Sequence, residues 1–290
     1  MAGIIDYAGL FPPAKLDMAT AVANYLNYRN GGHSWILGKF VVPVSRLDEF
    51  QHDASSLLPH ENSTPVLLSA LCGSDARNDL DRCRDFNNGL FAAWHNIVID
   101  TVEIKAASPE EIASIGGIIP EFLSGYFEIS LNDALDEMVH ALAGIKKCAK
   151  VRTGGVTPDA FPSATDVIRF ITACSANNVP FKATAGLHHP ICSTYAFTYE
   201  PGSPRGRMFG FLNLFLCSAF IRAGMNGEDA ADILNESASH AFQFDEQGVE
   251  WRGFHIDGEQ LKAAREGFAL SFGSCSFTEP IDELQALNLL

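Results

Sequence analysis

Positive charge is scarce in this sequence. There are 20 Lys and Arg residues against 35 Asp and Glu residues, which gives a formal net charge of −15 at pH 7. No run of basic residues is longer than Lys146-Lys147, whereas proteins that bind nucleic acid normally carry a basic face. An anionic membrane surface also repels a chain of this charge. We therefore expect neither nucleic acid nor a membrane among its partners.

Long apolar runs are also missing. The longest candidate, Met208 to Ile221, is interrupted by Asn213, falls short of the roughly 18 residues that span a bilayer, and predicts a buried helix. The first residues do not join a basic segment to an apolar stretch, so we expect no signal peptide.

Cysteine pairs with metal-binding or redox spacing are absent as well. The seven cysteines are odd in number and widely scattered, without a Cys-x-x-Cys pair: Cys72, Cys83, Cys148, Cys174, Cys192, Cys217 and Cys275. This usage favours small buried thiols in a reducing compartment over a disulfide or zinc framework. The expected location is the cytoplasm.

Hydrophobic residues, by contrast, make up 47% of the 290 residues. Short apolar runs alternate with amphipathic segments of helical period, which predicts βαβ units and a parallel sheet. The predicted strands are Ile4–Tyr7, Phe40–Val44, Val66–Leu71, Ile97–Ile104, Leu123–Ile129, Ala149–Arg152 and Phe181–Thr184. The helices between them are predicted at Met18–Tyr28, Ser45–Leu57, Asp75–Phe86, Pro109–Ile115, Leu131–Leu142 and Ser163–Ala176. We predict an α/β fold, a (β/α)8 TIM barrel that forms a single domain over residues 1–290.

The eighth β unit is less regular. A loop from Gly186 to Gly206 is followed by two predicted helices, Phe209–Ala223 and Gly227–Ser239, and by a hairpin, Phe242–Trp251. A third helix (Gly258–Ala269), a strand (Leu270–Cys275) and a last helix (Pro280–Leu287) complete the chain order. Either the hairpin or Leu270–Cys275 can supply strand eight, and we favour the latter. The apolar helix Phe209–Ala223 packs in the barrel wall or, alternatively, forms the contact of a homo-oligomer.

Charged residues recur at alternate positions near the ends of the predicted strands. Lys150 and Arg152 are two residues apart and share a face, which we assign to the barrel interior because Val151 takes the other side. Neighbouring strands repeat the pattern with Lys182 and Thr184, Glu103 and Lys105, Tyr126 and Glu128, and Asp6 closes strand one. Active sites of this fold lie at the C-terminal strand ends, so we predict the active site there.

This set of side chains suggests carbonyl chemistry at a lysine. A lysine in a crowded cationic, partly desolvated site has a lowered pKa and becomes nucleophilic. Lys150, flanked by Arg152 and Lys182, fits that description and would form a Schiff base with a carbonyl, without a cofactor. Glu103, Glu128 or Asp6 would move the proton. The alternative is a ring of salt bridges that closes the barrel end, because buried charges are costly unless they are paired.

Two small-residue loops are candidates for holding the anionic group of a substrate. Thr153-Gly154-Gly155 follows strand six, and glycines there let backbone N–H groups approach an anion closely. Phe272-Gly273-Ser274-Cys275-Ser276 is the second such loop, with Ser274 as the candidate contact.

Adjacent histidines follow strand seven in Gly186-Leu187-His188-His189-Pro190. They can serve as acid and base, bind an anion, or ligate a metal. A metal site needs three or four ligands, which Cys192 or Glu128 would complete. Consecutive residues point apart, so we expect one histidine to face the site. The simplest alternative is a pair of loop histidines bonded to the backbone.

At these residues the sequence resembles the deoxyribose-phosphate aldolase family of class I aldolases. Lys150-Val151-Arg152-Thr153-Gly154 is similar to the strand-six K-T-S-T-G segment that carries the Schiff-base lysine. Lys182-Ala183-Thr184-Ala185-Gly186-Leu187 is similar to the strand-seven K-A-S-G-G-I segment, whose lysine lowers the pKa of the first. Ile5-Asp6-Tyr7-Ala8-Gly9-Leu10 resembles I-D-H-T-L-L, and Ile99-Asp100-Thr101-Val102 resembles I-D-M-V. The last match implies that Asp100 is the proton shuttle.

The resemblance covers a few short patches. Arg152 and Thr184 depart from the family pattern, the interval from Asp100 to Lys150 is short, and Gly186–His255 has no counterpart. Alternation from Glu103 also turns Asp100 toward the helices unless a bulge intervenes. The stretch from Ala149 to Pro190 additionally resembles segments of bacterial barrel-like proteins without an assigned activity.

Three hypotheses follow. The first is an aldolase-like lyase that acts on a small anionic, phosphorylated or carboxylated, carbonyl compound through Lys150. The second is a barrel that holds such an anion without turning it over. The third is a metal-assisted isomerase or hydrolase that uses His188 or His189 with Glu103 and Glu128.

Overall fold

A closed ring of eight parallel strands forms the centre of the molecule. The computed structural model describes residues 1–58 and 64–290. In these ranges the strands are β1 (Ile5–Tyr7), β2 (Leu37–Pro43), β3 (Val66–Leu71), β4 (Ile97–Lys105), β5 (Ser124–Glu128), β6 (Cys148–Arg152), β7 (Phe181–Thr184), β8 (Ser193–Ala196), β9 (Arg205–Met208), β10 (Phe242–Phe244), β11 (Gly248–Trp251), β12 (Phe254–Asp257) and β13 (Ala269–Ser274). The barrel order is β1-β13-β7-β6-β5-β4-β3-β2, which confirms the predicted (β/α)8 fold.

Helices alternate with the barrel strands. They are α1 (Met18–Arg29), α2 (Leu47–Ala54), α3 (Ala76–Asn88), α4 (Leu90–His95), α5 (Pro109–Gly116), α6 (Leu135–Ile145), α7 (Ala164–Ala176), α8 (Phe211–Arg222), α9 (Gly227–Asn235), α10 (Gly258–Gly267) and α11 (Thr278–Ala286). The short helix α4 was not predicted, because six residues contain too few turns to show a helical period. No helix in the described ranges is long and apolar enough to cross a membrane.

The eighth barrel strand is β13, as the favoured assignment of Leu270–Cys275 predicted. It pairs in parallel with β1 on one side and with β7 on the other, and so closes the ring. The predicted hairpin is also confirmed, since β10 and β11 pair antiparallel, and β12 adds a third strand. The loop predicted between Gly186 and Gly206 contains a further hairpin, formed by β8 and β9.

The apolar helix α8 packs in the barrel wall. The ring of Phe211 stacks on Phe272 of β13, with ring centroids 4.9 Å apart, and further helices cover the other sides of α8. A helix that is hydrophobic all round is buried in this way. Its single amide, Asn213, accepts a hydrogen bond from Cys192 N at 2.8 Å and donates to the carbonyls of Ile233 and Glu236 at 2.8 Å each.

Strand alternation separates two environments around the barrel. Side chains that face the helices are apolar and buried, such as Phe40, Phe127, Val151 and Ala183. Interior-facing positions of the barrel strands hold four of the six Asp, Glu and Lys residues that are buried in the described part of the chain: Asp6, Glu103, Lys150 and Lys182. The barrel interior is therefore the place where polar chemistry is concentrated.

Candidate active site

Four charged side chains are almost fully buried inside the barrel. Asp6 on β1, Glu103 on β4, Lys150 on β6 and Lys182 on β7 are each at most 3% exposed. All four come from interior-facing strand positions, as the alternation argument expected. Because isolated buried charges are strongly disfavoured, their contacts with one another decide what the site can do.

The carboxylate of Glu103 bridges the two lysines. Its Oε2 lies 2.8 Å from Lys150 Nζ, and its Oε1 accepts a hydrogen bond from Lys182 Nζ at 2.6 Å. Ser69 also donates to Oε1, at 2.7 Å. Burial alone would raise the pKa of Glu103, but the two ammonium groups outweigh burial and hold that pKa far below its ordinary value. Glu103 is therefore a carboxylate at neutral pH.

Lys182 is held between two carboxylates. Its Nζ donates to Asp6 Oδ2 and to Glu103 Oε1, both at 2.6 Å. Asp6 also accepts from Ser271 Oγ at 2.8 Å and from Lys39 N at 2.9 Å. Burial favours the neutral amine, but the attraction of Asp6 and Glu103 is stronger and raises the pKa of Lys182 well above its ordinary value. Lys182 is thus a fixed ammonium group.

The expectation of a crowded cationic site is corrected by these contacts. Three cations, Lys150, Arg152 and Lys182, lie among three carboxylates, those of Asp6, Glu103 and Glu128. The reason is that Glu103 on β4 and Glu128 on β5 lie in the same layer of the barrel interior as the lysines on β6 and β7. The charges therefore compensate one another, and the pKa of Lys182 rises where the sequence argument expected repulsion between cations.

Lys150 lies at the floor of a cavity at the C-terminal ends of the strands. This mouth cavity has a volume of about 230 Å³ and is lined by Ala8, Phe11, Pro12, Val41, Leu71, Glu103, Lys150, Arg152, Gly155, Val156, Lys182, Thr184, Ala185, His188, Gly273 and Cys275. Its walls mix apolar side chains with a few charged ones, which is the usual composition of a small-molecule site. The structure thus brings both predicted lysines and Thr184 to one cavity.

Glu128 is the second carboxylate beside Lys150. Its Oε2 lies 2.7 Å from Lys150 Nζ, yet among the described residues no donor makes a well-aligned hydrogen bond to this oxygen. Arg152 Nε approaches Glu128 Oε1 at 3.4 Å, and the Arg152 side chain is 49% exposed. Burial opposes ionisation of Glu128, but the nearby Lys150 and Arg152 hold its pKa below the ordinary value.

A shallower depression adjoins the mouth cavity on the β4–β6 side. Its lining residues include Lys105, Glu128, Ser130 and Arg152. Arg152 also lines the mouth cavity and so lies between the two spaces. Lys105 and Arg152 are both exposed. Two accessible cations at the rim are suited to contact an anionic group of a molecule bound above Lys150.

The glycine loop after β6 packs against the loop after β7. A Cβ added to Gly154 would lie 2.8 Å from Cα of Gly186, which is closer than two such atoms can approach. Thr153 Oγ1 is turned to the same neighbouring loop and donates to the carbonyl of Ala185 at 2.7 Å. Only Gly155 of the three predicted anion contacts lines the mouth cavity. Thr153 and Gly154 instead make the contacts that hold the loop after β6 against the loop after β7.

Ser274 is turned away from the mouth cavity. It is 2% exposed, and its Oγ accepts a hydrogen bond from Ser276 N at 3.3 Å. Its neighbours Gly273 and Cys275 line the cavity instead. The alternation that placed Lys150 inward would have selected these neighbours, because Ser271 and Gly273 share the interior face of β13.

The two histidines point in different directions. His188 lines the mouth cavity, and burial, with a smaller effect of the adjacent His189, lowers its pKa to about 4. His189 is turned toward α11, where its Nδ1 lies 2.6 Å from Glu283 Oε1. Its ring stacks on Tyr195, with centroids 3.4 Å apart.

The carboxylates expected beside these histidines are elsewhere. Glu103 and Glu128, the suggested partners in a metal-assisted reaction, are engaged with Lys150. The structure brings His189 to Glu279 and Glu283 instead. The i, i+4 spacing of these two glutamates was the available signal, but Glu279 lies one residue before the predicted last helix, Pro280–Leu287. Nothing local indicated that this helix meets the loop after β7.

Asp100 lies at a bulge in β4. Leu68 of β3 pairs with Ile99, whereas the next residue of β3 pairs with Thr101, so Asp100 is the extra residue. Its carboxylate forms an ion pair with Lys39 at 2.7 Å, and Lys39 lines a depression at the N-terminal end of the barrel. Glu103 occupies the place beside the lysines that the resemblance gave to Asp100.

Sequence reasoning missed three polar side chains of the interior. The hydroxyls of Ser69 and Ser271 donate to Glu103 and Asp6, and the Lys39 ammonium group donates to Asp100 at 2.7 Å. Lys39 was omitted because the predicted strand began at Phe40, three residues after the observed start at Leu37. Ser69 and Ser271 occupy interior positions by alternation, but serine inside an apolar run carries little signal of its own.

No protein-family model and no curated protein matched this chain. The ring of eight parallel strands with charged side chains inside its C-terminal mouth places the protein among (β/α)8 barrels. The functional interpretation rests on this fold and on the contacts around Lys150.

Proposed function

We propose that the protein is a class I aldolase-like lyase, in which Lys150 forms a Schiff base with a small anionic carbonyl compound. The observation that carries the proposal is the position of Lys150 Nζ, on the floor of the mouth cavity and 2.7 Å from Glu128 Oε2. That oxygen can accept the ammonium proton when a carbonyl group displaces solvent from the cavity. The resemblance of the Lys150 and Lys182 segments to class I aldolases supports the same assignment.

The reaction begins with proton transfer from Lys150 to Glu128. The free amine attacks the carbonyl carbon, a C–N bond forms, and the carbonyl oxygen takes up one proton from the attacking nitrogen and a second from the protonated Glu128. Loss of that oxygen as water leaves an iminium ion. The bond between the α and β carbons then breaks, its electron pair moves toward the iminium nitrogen to give an enamine, and the second fragment leaves as a carbonyl compound after its hydroxyl proton is taken by a base.

Lys182 and Glu103 have a supporting role in this scheme. Lys182 remains an ammonium group because Asp6 and Glu103 raise its pKa, and it holds the Glu103 carboxylate in place through Oε1 at 2.6 Å. Glu103 fixes the Lys150 amine through its Oε2 at 2.8 Å. At the rim, the exposed side chains of Arg152 and Lys105 would hold the phosphate or carboxylate of the substrate.

Reductive trapping tests the proposal. Borohydride added with a panel of phosphorylated aldehydes and 2-keto acids should reduce the iminium ion to a stable secondary amine, and peptide mapping by mass spectrometry should place the added mass on Lys150. Lys150→Arg keeps a cation for Glu103 and Glu128 but cannot form the iminium, so trapping should disappear. Lys262→Arg, at an exposed lysine of α10, is the matched control and should trap normally.

The absence of any adduct on Lys150 across the panel would contradict the Schiff-base mechanism. A second candidate would then hold, an anion-binding barrel without turnover. The observation that favours it is the full compensation of Lys182 by two carboxylates, as in a salt bridge that only closes the barrel end. Binding of the same compounds without trapping or conversion is its expected signature.

A further inference from the structure

A cluster of one histidine and two glutamates lies where the loop after β7 meets α11. One ligand atom from each of His189, Glu279 and Glu283 lies within 4.8 Å of the other two. Glu279 and Glu283 are four residues apart, so one face of α11 presents both carboxylates. Nitrogen and carboxylate oxygen ligands bind zinc at about 2.0–2.2 Å, so three donors this close together can surround one ion with a small adjustment of their side chains.

Neither glutamate of the cluster forms an ion pair with a lysine or arginine of the described residues. In the described ranges the ion-pair partners of both glutamates are histidines: Glu279 lies 3.5 Å from His188 Nδ1, and Glu283 lies 2.6 Å from His189 Nδ1. Two partly buried carboxylates therefore lie side by side, each with a histidine as its ion-pair partner. A divalent cation would neutralise both and accept the lone pair of the His189 nitrogen.

Neighbouring aromatic residues fix two of the three side chains. His189 is 9% exposed, and its ring lies against Tyr195 at 3.4 Å and an interplanar angle of 11°. The hydroxyl of Tyr199 donates to Glu279 Oε2 at 3.1 Å. Contacts of this kind orient metal ligands in metalloproteins. The Glu283 side chain is 37% exposed, which provides a path for an ion and for a water ligand.

We propose that His189, Glu279 and Glu283 form a binding site for one divalent transition-metal ion of the zinc class. Imidazole combined with carboxylates suits Zn²⁺ and its neighbours, whereas Ca²⁺ and Mg²⁺ take oxygen ligands. The ion would tie the loop after β7 to α11, directly behind His188, which lines the mouth cavity. This site shares no residue with the interior cluster of Asp6, Glu103, Glu128, Lys150, Arg152 and Lys182, and it does not depend on the Schiff-base proposal.

Metal titration of the full chain tests the site. The protein is freed of metal with a chelator and titrated with CoCl₂, followed by visible absorption, and with ZnCl₂, followed by calorimetry. One ion per chain should bind, with a Co²⁺ absorption band that Zn²⁺ removes. His189→Ala and Glu283→Gln should each weaken binding by about tenfold or more, because a direct ligand matters at least as much as its supporting contacts.

Asp282→Asn is the matched control. It removes one carboxylate from the exposed side of the same helix and should leave stoichiometry and affinity unchanged. Because His189 is packed on Tyr195, circular dichroism checks that each variant folds, and Glu279→Gln replaces His189→Ala if the latter does not. Binding that is not stoichiometric, or an equal loss in Asp282→Asn and Glu283→Gln, overturns the proposal.

Discussion

At the scale of single residues, the carboxylate of Glu103 organises the barrel interior. Its two oxygens contact Lys150 at 2.8 Å and Lys182 at 2.6 Å, so each buried ammonium group depends on it. Asp6 and Glu128 complete the compensation on either side. A single interior carboxylate thus holds both lysine side chains in position, and it raises the pKa of Lys182 together with Asp6.

Replacement of Glu103 by glutamine should strongly destabilise the fold. The variant keeps the size of the side chain but leaves two buried ammonium groups with one carboxylate fewer, and breaking a buried ion pair in this way costs about 3–5 kcal/mol. The free energy of unfolding in urea at pH 7 measures the loss. Glu49→Gln, which breaks the more exposed pair with Arg46, should cost no more than about 1 kcal/mol. Equal losses in the two variants would show that the buried network is not needed for stability.

At the scale of elements, two contacts hold the loops that line the mouth cavity. The loops after β6 and β7 touch back to back at Gly154 and Gly186. The loop after β7 is then anchored to α8 through the Asn213 amide and Cys192 N. Both contacts lie outside the mouth cavity. Substitutions there therefore change the position of the loops without removing a side chain that lines the cavity.

Gly154→Ala should destabilise the protein through steric overlap between the loops. The added methyl group would lie 2.8 Å from the Gly186 backbone, and overpacking of this kind typically costs about 1–3 kcal/mol. Gly144→Ala is the control, because nothing lies within 4 Å of the added methyl group in α6; it should leave stability unchanged or raise it by up to about 1 kcal/mol. Thermal unfolding of both variants gives the comparison, and a loss in Gly144→Ala as large as in Gly154→Ala would refute the overlap.

Asn213→Ala should lower the free energy of unfolding by roughly 2–4 kcal/mol, since the Cys192 N–H and the Glu236 carbonyl lose their bond to the amide. The Ile233 carbonyl also loses a bond but still accepts from Glu236 N. Asn235→Ala, whose side chain makes one hydrogen bond to Ala231 O, should have a clearly smaller effect. Urea unfolding measures both. If Asn213→Ala were as mild as the control, the amide would not be an anchor of the loop after β7.

At the scale of the whole molecule, the interior charges predict how stability depends on pH. The folded pKa values of Glu103 and Glu128 lie below their ordinary values, so their stabilisation is present above the unfolded glutamate pKa of about 4.3 and is lost as pH falls through the folded values. The pKa of Lys182 is raised, so its contribution is complete below about pH 10.4 and is lost as pH rises through the folded value.

The free energy of unfolding should therefore fall on both sides of a broad plateau. Urea titrations across the acid range should show the difference between the wild type and Glu103→Gln narrowing as pH drops below about 4.3. A difference that stays constant down to pH 3 would mean that the folded pKa of Glu103 is not depressed.

Much of the architecture follows from local pattern. All seven predicted strands form barrel strands, and Leu270–Cys275 supplies the eighth. Alternation also put Glu103, Lys150 and Lys182 inside the barrel, because residues two apart on a strand share a face wherever that strand lies. Lys39 was not predicted as an interior residue because the start of its strand was placed too late. Gly38 and Lys39 are residue types with low strand propensity, so they gave no sign that the strand had begun.

The spacing of residues along the chain determined the barrel, its order of strands and helices, and which side chains face the interior. The tertiary structure alone decided how those side chains pair: Glu103 falls between Lys150 and Lys182, Asp100 turns to Lys39, and His189 meets α11. Periodicity is a local property that a few consecutive residues encode. Pairing between distant segments depends on strand register, on one bulge in β4 and on closure of the ring, and these are set by packing of the whole chain.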